Sequence, residues 1–403
     1  MACGLPAEQS GVMPDRPQAT PAPGSVSTAA PAEPGTAATP AAPSLSPQLR
    51  LAAPEASPGL FIRPSLSDHP EVAGERASRK TAGGELVRLA RGVYLPRRIW
   101  TDAPPWTRYE MAIAAKAHSH PSAVFRREAA LVLWRLPLLR TPREITLRAL
   151  GRSTAGRVPA AERGGVEGFD LCRSAAGPTA PSTLIPPGIL PAVRGPEQGY
   201  RVEELIPVLT DTVPRMGRAA GVVVLDAVLA GSRRPGNTGS PVQQAGGVAH
   251  GLLHLHAEQM RVKWHRRLFL QALEAADRRS ESAGESLLRV LMADLGFPMP
   301  TLQSRIEAQG RNCWADFEFE EAGVVVEFDG LEKYRRGGEG TAGPEAAQAV
   351  IGEKRREDGI RSTGRSVLRF VWADCGRPER IEAALLRAGV PQDRARRWAP
   401  APW

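Results

Sequence analysis

The chain has 403 residues, enough for two or three domains. Its low aromatic content of 5%, with 40 Gly and 38 Pro, implies that part of it lacks a packed core. A formal charge of +9 and a pI near 9.9 favour a polyanionic partner. Cys3, Cys172, Cys313 and Cys375 lack CxxC spacing, no apolar run approaches the ~18 residues of a membrane span, and no basic-then-apolar leader opens the chain; neither a zinc site nor a disulfide framework follows, no membrane partner is expected, and a soluble cytoplasmic protein is the default.

Residues 1–58 are Ala, Pro, Ser, Gly and Thr in mixed order, with little to bury against the entropy of ordering, and are expected to be disordered. Residues 59–100 form a separate small module. Glu85 to Leu89 and Val93 to Leu95 are short strand candidates around Arg91-Gly92. Arg79, Lys80, Arg88, Arg91, Arg97 and Arg98 stand beside them, so a basic two-stranded wing would lay charge along a phosphate backbone. A basic surface hairpin without that role has the same pattern. Pro64, Pro70 and Gly74 interrupt the stretch before it, which predicts a degenerate helix there.

Residues 101–230 read as a helical and mixed adaptor without a catalytic constellation. Helices are expected over 107–140, where Val124, Ala129, Val132, Leu133 and Leu136 approximate one apolar face. A strand follows at Arg143 to Ala149, and a helix at Arg218 to Ala230. Residues 231–246, GSRRPGNTGSPVQQAG, read as a linker. His250 and His254 lie one turn apart on the next helix, but without the Glu and third ligand of a zinc motif.

Residues 247–395 make the last domain. Ser282-Ala283-Gly284-Glu285 is a capping box opening a helix with a Leu287, Leu288, Leu291, Met292 and Leu295 stripe. Ser304 to Glu307 reads as a strand. From Cys313 to Gly330 comes an acidic hairpin: Ala315, Phe317 and Phe319 alternate with Asp316, Glu318 and Glu320, and a β-branched run from Val324 ends at Asp329. A turn between Glu321 and Ala322 makes paired residue numbers sum to 643, so Asp316 faces Glu327 and Asp329 shares their side. Opposed acids in one patch are relieved by a hard divalent cation, Mg²⁺ (or Mn²⁺), held by Asp316, Glu327 and Asp329. A solvated acidic strand face is the competing reading, and solvation is expected for Glu318 and Glu320 near the turn. A basic helix carries Lys354, Asp358 and Arg361 on one face, and Val367 to Trp372 is a closing strand. Helix, strand, hairpin, helix, strand predicts an α/β domain with a mixed sheet flanked by helices.

Two resemblances follow from these residues. Leu86-Val87-Arg88-Leu89 with Arg91-Gly92-Val93-Tyr94 resembles the wing of the AbiEi family of type IV toxin–antitoxin antitoxins. The leading Glu285, the Asp316-Phe317 pair, VVVEFDG, Lys333-Tyr334, the Lys354, Asp358 and Arg361 spacing and the closing VLRF strand resemble the very-short-patch-repair-like branch of the PD-(D/E)XK endonucleases. Together they imply a winged-helix-like module before a restriction-endonuclease-like domain, with DNA as partner and a cognate toxin or a defence or repair partner beyond it. The nuclease resemblance implies phosphodiester hydrolysis with Asp316, Glu327 and Asp329 at the metal, Glu285 contributing from its helix and Lys333 donating to phosphate or leaving oxygen. It also implies that Lys354, Arg361 and Arg369 position the nucleic acid, as the wing resemblance implies for Arg88 and Arg91. The superfamily's lysine two residues after the glutamate is replaced here by Asp329, so proton handling falls to Lys333 or Lys354. The alternative is a regulator or antitoxin using an inactive nuclease fold.

Overall fold

The computed structural model describes residues 61–149, 154–160, 168–175, 181–231, 242, 247–330 and 344–396. The 1–58 tail, Lys333 and Tyr334, and nearly all of the 231–246 linker lie outside them. The described residues form a mixed α/β protein with three sheets.

The first element, α1 (Pro70–Ala82), is a regular helix where the sequence suggested a degenerate one. Pro70 occupies the start, where its fixed φ suits a helix and its missing N–H would have had no partner. Gly74 has no neighbour within 4 Å of an added Cβ, so it sits on an open face. Next come β1 (Leu86–Ala90) and β2 (Val93–Pro96), an antiparallel pair turning at Gly92, whose φ of +71° favours glycine. Val87 and Leu95 point inward, while Arg88 and Arg91 are exposed.

Beyond α2 (Arg97–Asp102) and α3 (Pro105–Ser119) lies a six-stranded mixed sheet, of which sequence patterning gave only one strand. Its strands are β3 (Val124–Phe125), β4 (Glu144–Ala149), β5 (Gly156–Val158), β6 (Asp170–Ala175), β7 (Ser182–Ile185) and β8 (Tyr200–Glu203). They stand in the order β5-β6-β4-β3-β8-β7, with β4/β6 and β3/β8 parallel. Most span two to four residues, too short for a two-residue period to register. Helices α4 (Arg127–Leu133), α5 (Leu205–Thr212) and α6 (Arg218–Ala230) complete this part.

Two further helices, α7 (His250–Glu258) and α8 (Lys263–Glu274), lead to α9 (Ala283–Asp294). His250 and His254 are exposed on α7. One hydrophobic core runs from Val87 in the hairpin through α6 to Val290 of α9. Asp226 of α6 and Arg289 of α9 bridge within it at 2.8 Å, with side chains 0% and 2% exposed. Asp226 also accepts from the Asp277 N–H, and Arg289 donates to the Ala275 carbonyl, so backbone groups brace both sides of the buried pair.

The last sheet contains β9 (Thr301–Ala308), β10 (Arg311–Phe319), β11 (Val324–Phe328) and β12 (Ser366–Phe370) in the order β12-β11-β10-β9. Only β11 and β12 run parallel, connected through α10 (Pro344–Ser362), and the resulting mixed sheet matches the predicted one. Helices α11 (Trp372–Cys375) and α12 (Pro378–Arg387) follow. One face packs on α9, α11 and α12 through Leu302, Phe317, Val326 and Phe328. The other packs on α10 through Ile306, Ala308, Ala315, Val325 and Ile360.

Candidate functional site

The hairpin register is the expected one: Phe317 pairs with Val326, Glu318 with Val325 and Phe319 with Val324. The ladder then stops. Beyond it the expected Asp316–Glu327 pair is not formed in the ladder, and the Phe328 N–H donates to Asp316 Oδ2 at 2.8 Å, so a side-chain carboxylate takes the place of the backbone partner.

The expected alternation of Ala315 with Phe317 and Phe319 does not hold. Ala315 belongs to the α10 face, Phe317 and Phe319 to the α9 face. In the neighbouring strand Leu302 and Ser304 are split in the same way, and Gln303 between them has φ +51°. That left-handed residue reverses the pleat of β9 while keeping its register with β10, and β10 reverses opposite it, at Asp316. Asp316 thus lies where the sheet changes sides.

Glu285 reaches this point from α9. Ser282 Oγ accepts from the Glu285 N–H at 3.1 Å, the expected cap, while Glu285 Oε2 accepts from the Glu281 N–H at 2.8 Å and from Gln303 Nε2 at 3.2 Å. Burial raises the Glu285 carboxyl, and the charge of Asp316 raises it further, to about 7. The helix comes this close because residue 284 has no side chain: a Cβ there would lie 1.9 Å from the Phe328 ring. That ring is held edge-on to Trp372, with centroids 5.3 Å apart. Phe328 therefore seats α9 with its ring and Asp316 with its amide.

Glu327 and Asp329 face α10. Arg356 donates to Glu327 Oε1 at 2.6 Å, and Arg369, its register partner on β12, lies 3.3 Å from Oε2. Arg369 also lies 3.5 Å from Asp329 Oδ2 and 3.1 Å from Glu357 Oε2. Arg356 further donates to the Trp314 carbonyl. Among the described residues, no three His, Cys, Asp or Glu side chains form a group suited to a metal ion. The four acids stand instead as two pairs, Glu285 with Asp316, and Glu327 with Asp329 through Arg369.

The remaining expected residues fall as follows. Lys354 is exposed on α10, and Arg361 is exposed and 2.6 Å from Glu357, while Arg356 and Glu357 are the α10 residues turned to the acids. Arg369 is at the site. Lys333 is outside the described residues. Glu318, expected to be solvated, is buried, because Arg365 lies 2.6 Å away and Ser304 Oγ donates to it. Glu320 is exposed as expected. Arg356, Gln303 and Gly284 are site residues that sequence reasoning did not single out. Trp314, 59% exposed, lies opposite Arg305 on the face turned away from α10, two residues before Asp316.

Taken two at a time, these acids match the oxygen-ligand chemistry of a magnesium-class cation. The donors are carboxylate oxygens, two of them in a pair whose mutual repulsion a cation would relieve. Mg²⁺ keeps most of its waters and needs only one or two protein carboxylates beside a substrate phosphate.

No family profile matches the chain, and no solved structure does. Two Mycobacterium tuberculosis proteins, uncharacterized protein Rv2248 of strain H37Rv and uncharacterized protein MT2308 of strain CDC 1551, are each 32% identical to it over 119 residues. The matched stretch is 29% of this chain and 40% of each of theirs. No helix among the described residues is long and apolar enough to cross a membrane.

Proposed function

We propose that the chain is a DNA-binding protein whose C-terminal sheet hydrolyses phosphodiester bonds with a magnesium-class cation. The observation that carries this is the Glu285–Asp316 pair, two acids pressed together at the end of the hairpin ladder, which a helix without a side chain at Gly284 can approach. Asp316 would hold the ion with Glu285 beside it, while Glu327 and Asp329 stand as the second acidic pair on the α10 side. When bound, the cation would polarise the phosphodiester and make a bound water nucleophilic near neutral pH. Without the cation, burial and the charge of Asp316 hold a proton on Glu285 that the arriving cation would displace. Arg369 and Arg356 keep Glu327 and Asp329 oriented and present guanidinium groups to phosphate. Arg88 and Arg91 of the hairpin supply the sequence-independent hold on the backbone.

A second reading, a regulator or antitoxin on an inactive nuclease fold, is favoured by one observation: each Glu327 oxygen has an arginine beside it, so the protein's own cations already balance that acid. Incubation of the purified protein with supercoiled plasmid, in Mg²⁺, Mn²⁺ or chelator, separates the two when Asp316→Ala and Glu327→Ala are run beside it. Metal-dependent nicking lost in both variants supports hydrolysis; DNA retention without nicking supports the regulator.

A further inference from the structure

Behind the β1–β2 hairpin lies a concavity of about 870 Å³, formed by the last turn of α1, the hairpin, the end of α3 and strand β6. Arg88, Arg91, Arg97, Lys116 and Arg173 line it together with His120, and none of its lining residues is acidic. These cations come from parts of the chain some eighty residues apart, so local composition does not account for their meeting. Two of them are built in. Arg97 Nε donates to the Gly84 carbonyl at 2.7 Å, which fixes its guanidinium, and Lys116 is 6% exposed with its Nζ 3.0 Å from His120 Nδ1. Cationic side chains converging on one concavity attract an anion into it.

We infer that this groove takes successive phosphates of a nucleic-acid strand, and that β6 of the six-stranded sheet, through Arg173, forms its far wall. The inference rests on the reading of the hairpin as a phosphate-facing element and extends it inward. Arg88 and Arg91 open onto the groove from the hairpin, so one strand engages them and then Arg173 without leaving positive surface. The size favours several phosphates over one: a single phosphate needs two or three donors, and here five cations spread around a volume at the upper end of small-molecule sites. Recognition through phosphates alone carries no sequence preference.

The test is fluorescence anisotropy of the full chain with labelled single-stranded and duplex oligonucleotides across a salt series, in chelator so that nothing is cut. Arg173→Ala should weaken binding several-fold on every sequence and lower the slope of log affinity against log salt by about one. Arg173→Lys should restore the slope, and thermal melts of both variants should overlay the parent, which separates lost contact from lost fold. Arg91→Ala is run in parallel. Weakening by both variants supports the groove. Weakening by Arg173→Ala alone removes the hairpin reading and overturns the continuous track, leaving a phosphate contact at β6 only. Weakening by Arg91→Ala alone overturns the groove and leaves the hairpin. A parent melt raised by inorganic tripolyphosphate but not by oligonucleotide also overturns it, assigning the site to a small polyphosphate.

Discussion

Glu285→Gln in metal-free protein measures the strain stored at the acidic pair. Glu285 is 7% exposed, and burial together with Asp316 lifts its carboxyl from the ordinary value of 4.5 to about 7. A group with a raised folded-state value is protonated in both states at low pH, where its contribution is fully present. That contribution is lost as pH rises through the folded value, because the unfolded chain ionises first. Each tenfold difference in proton affinity is worth about 1.4 kcal/mol, so full ionisation costs the fold roughly 3 kcal/mol. The amide of glutamine keeps an oxygen for the Glu281 N–H and cannot ionise. Urea unfolding in chelator should therefore show the variant gaining on the parent by about 3 kcal/mol between about pH 4.5 and about pH 8.5. Parallel stability profiles across that range would refute the reasoning, since they would mean that Glu285 titrates as an exposed carboxyl does.

Gly284→Ala places a methyl group 1.9 Å from the Phe328 ring, and that ring is backed by Trp372, so α9 must withdraw from β11. The cost is about 1–3 kcal/mol of stability from overpacking, and the pH dependence just described should shrink because Glu285 leaves Asp316; chemical denaturation at two pH values reads both. Asp226→Ala leaves the Arg289 guanidinium uncompensated between α6 and α9 and should cost about 3–5 kcal/mol, read as a lowered unfolding midpoint. Arg369→Ala removes the cation shared by Glu327, Asp329 and Glu357, so Mg²⁺ affinity measured by calorimetry should rise. An unchanged or weaker affinity would mean that Arg369 does not compete for those oxygens.

The acidic hairpin was legible because strand pairing depends on turn position, and the short Glu320–Ala322 turn leaves few registers open. The capped helix start at Ser282 was legible for a similar reason: the contact is local in sequence. What escaped depends on backbone states and distant partners. Gln303 is not a residue type that advertises a positive φ, so the reversal that sends Ala315 and Phe317 to opposite faces left no mark on the alternation. Gly284 read only as part of a cap, because the ring that excludes a side chain there lies 44 residues away. On α10, Lys354, Asp358 and Arg361 share a stripe by spacing, but packing of Gly359 and Ile360 against the sheet turns Arg356 and Glu357 toward the acids instead. The six-stranded sheet was missed because its order interleaves strands from distant segments, several too short to carry a period.

The most direct measurement of the central claim is the rate of plasmid nicking at fixed protein concentration as Mg²⁺ is titrated, for the parent chain and for Asp316→Asn. The account predicts saturable, chelator-reversible nicking in the parent, and none above background in a variant that still binds DNA. Nicking that persists at the parental rate in Asp316→Asn, or a parent that binds DNA and never cuts it at any metal concentration, would contradict it.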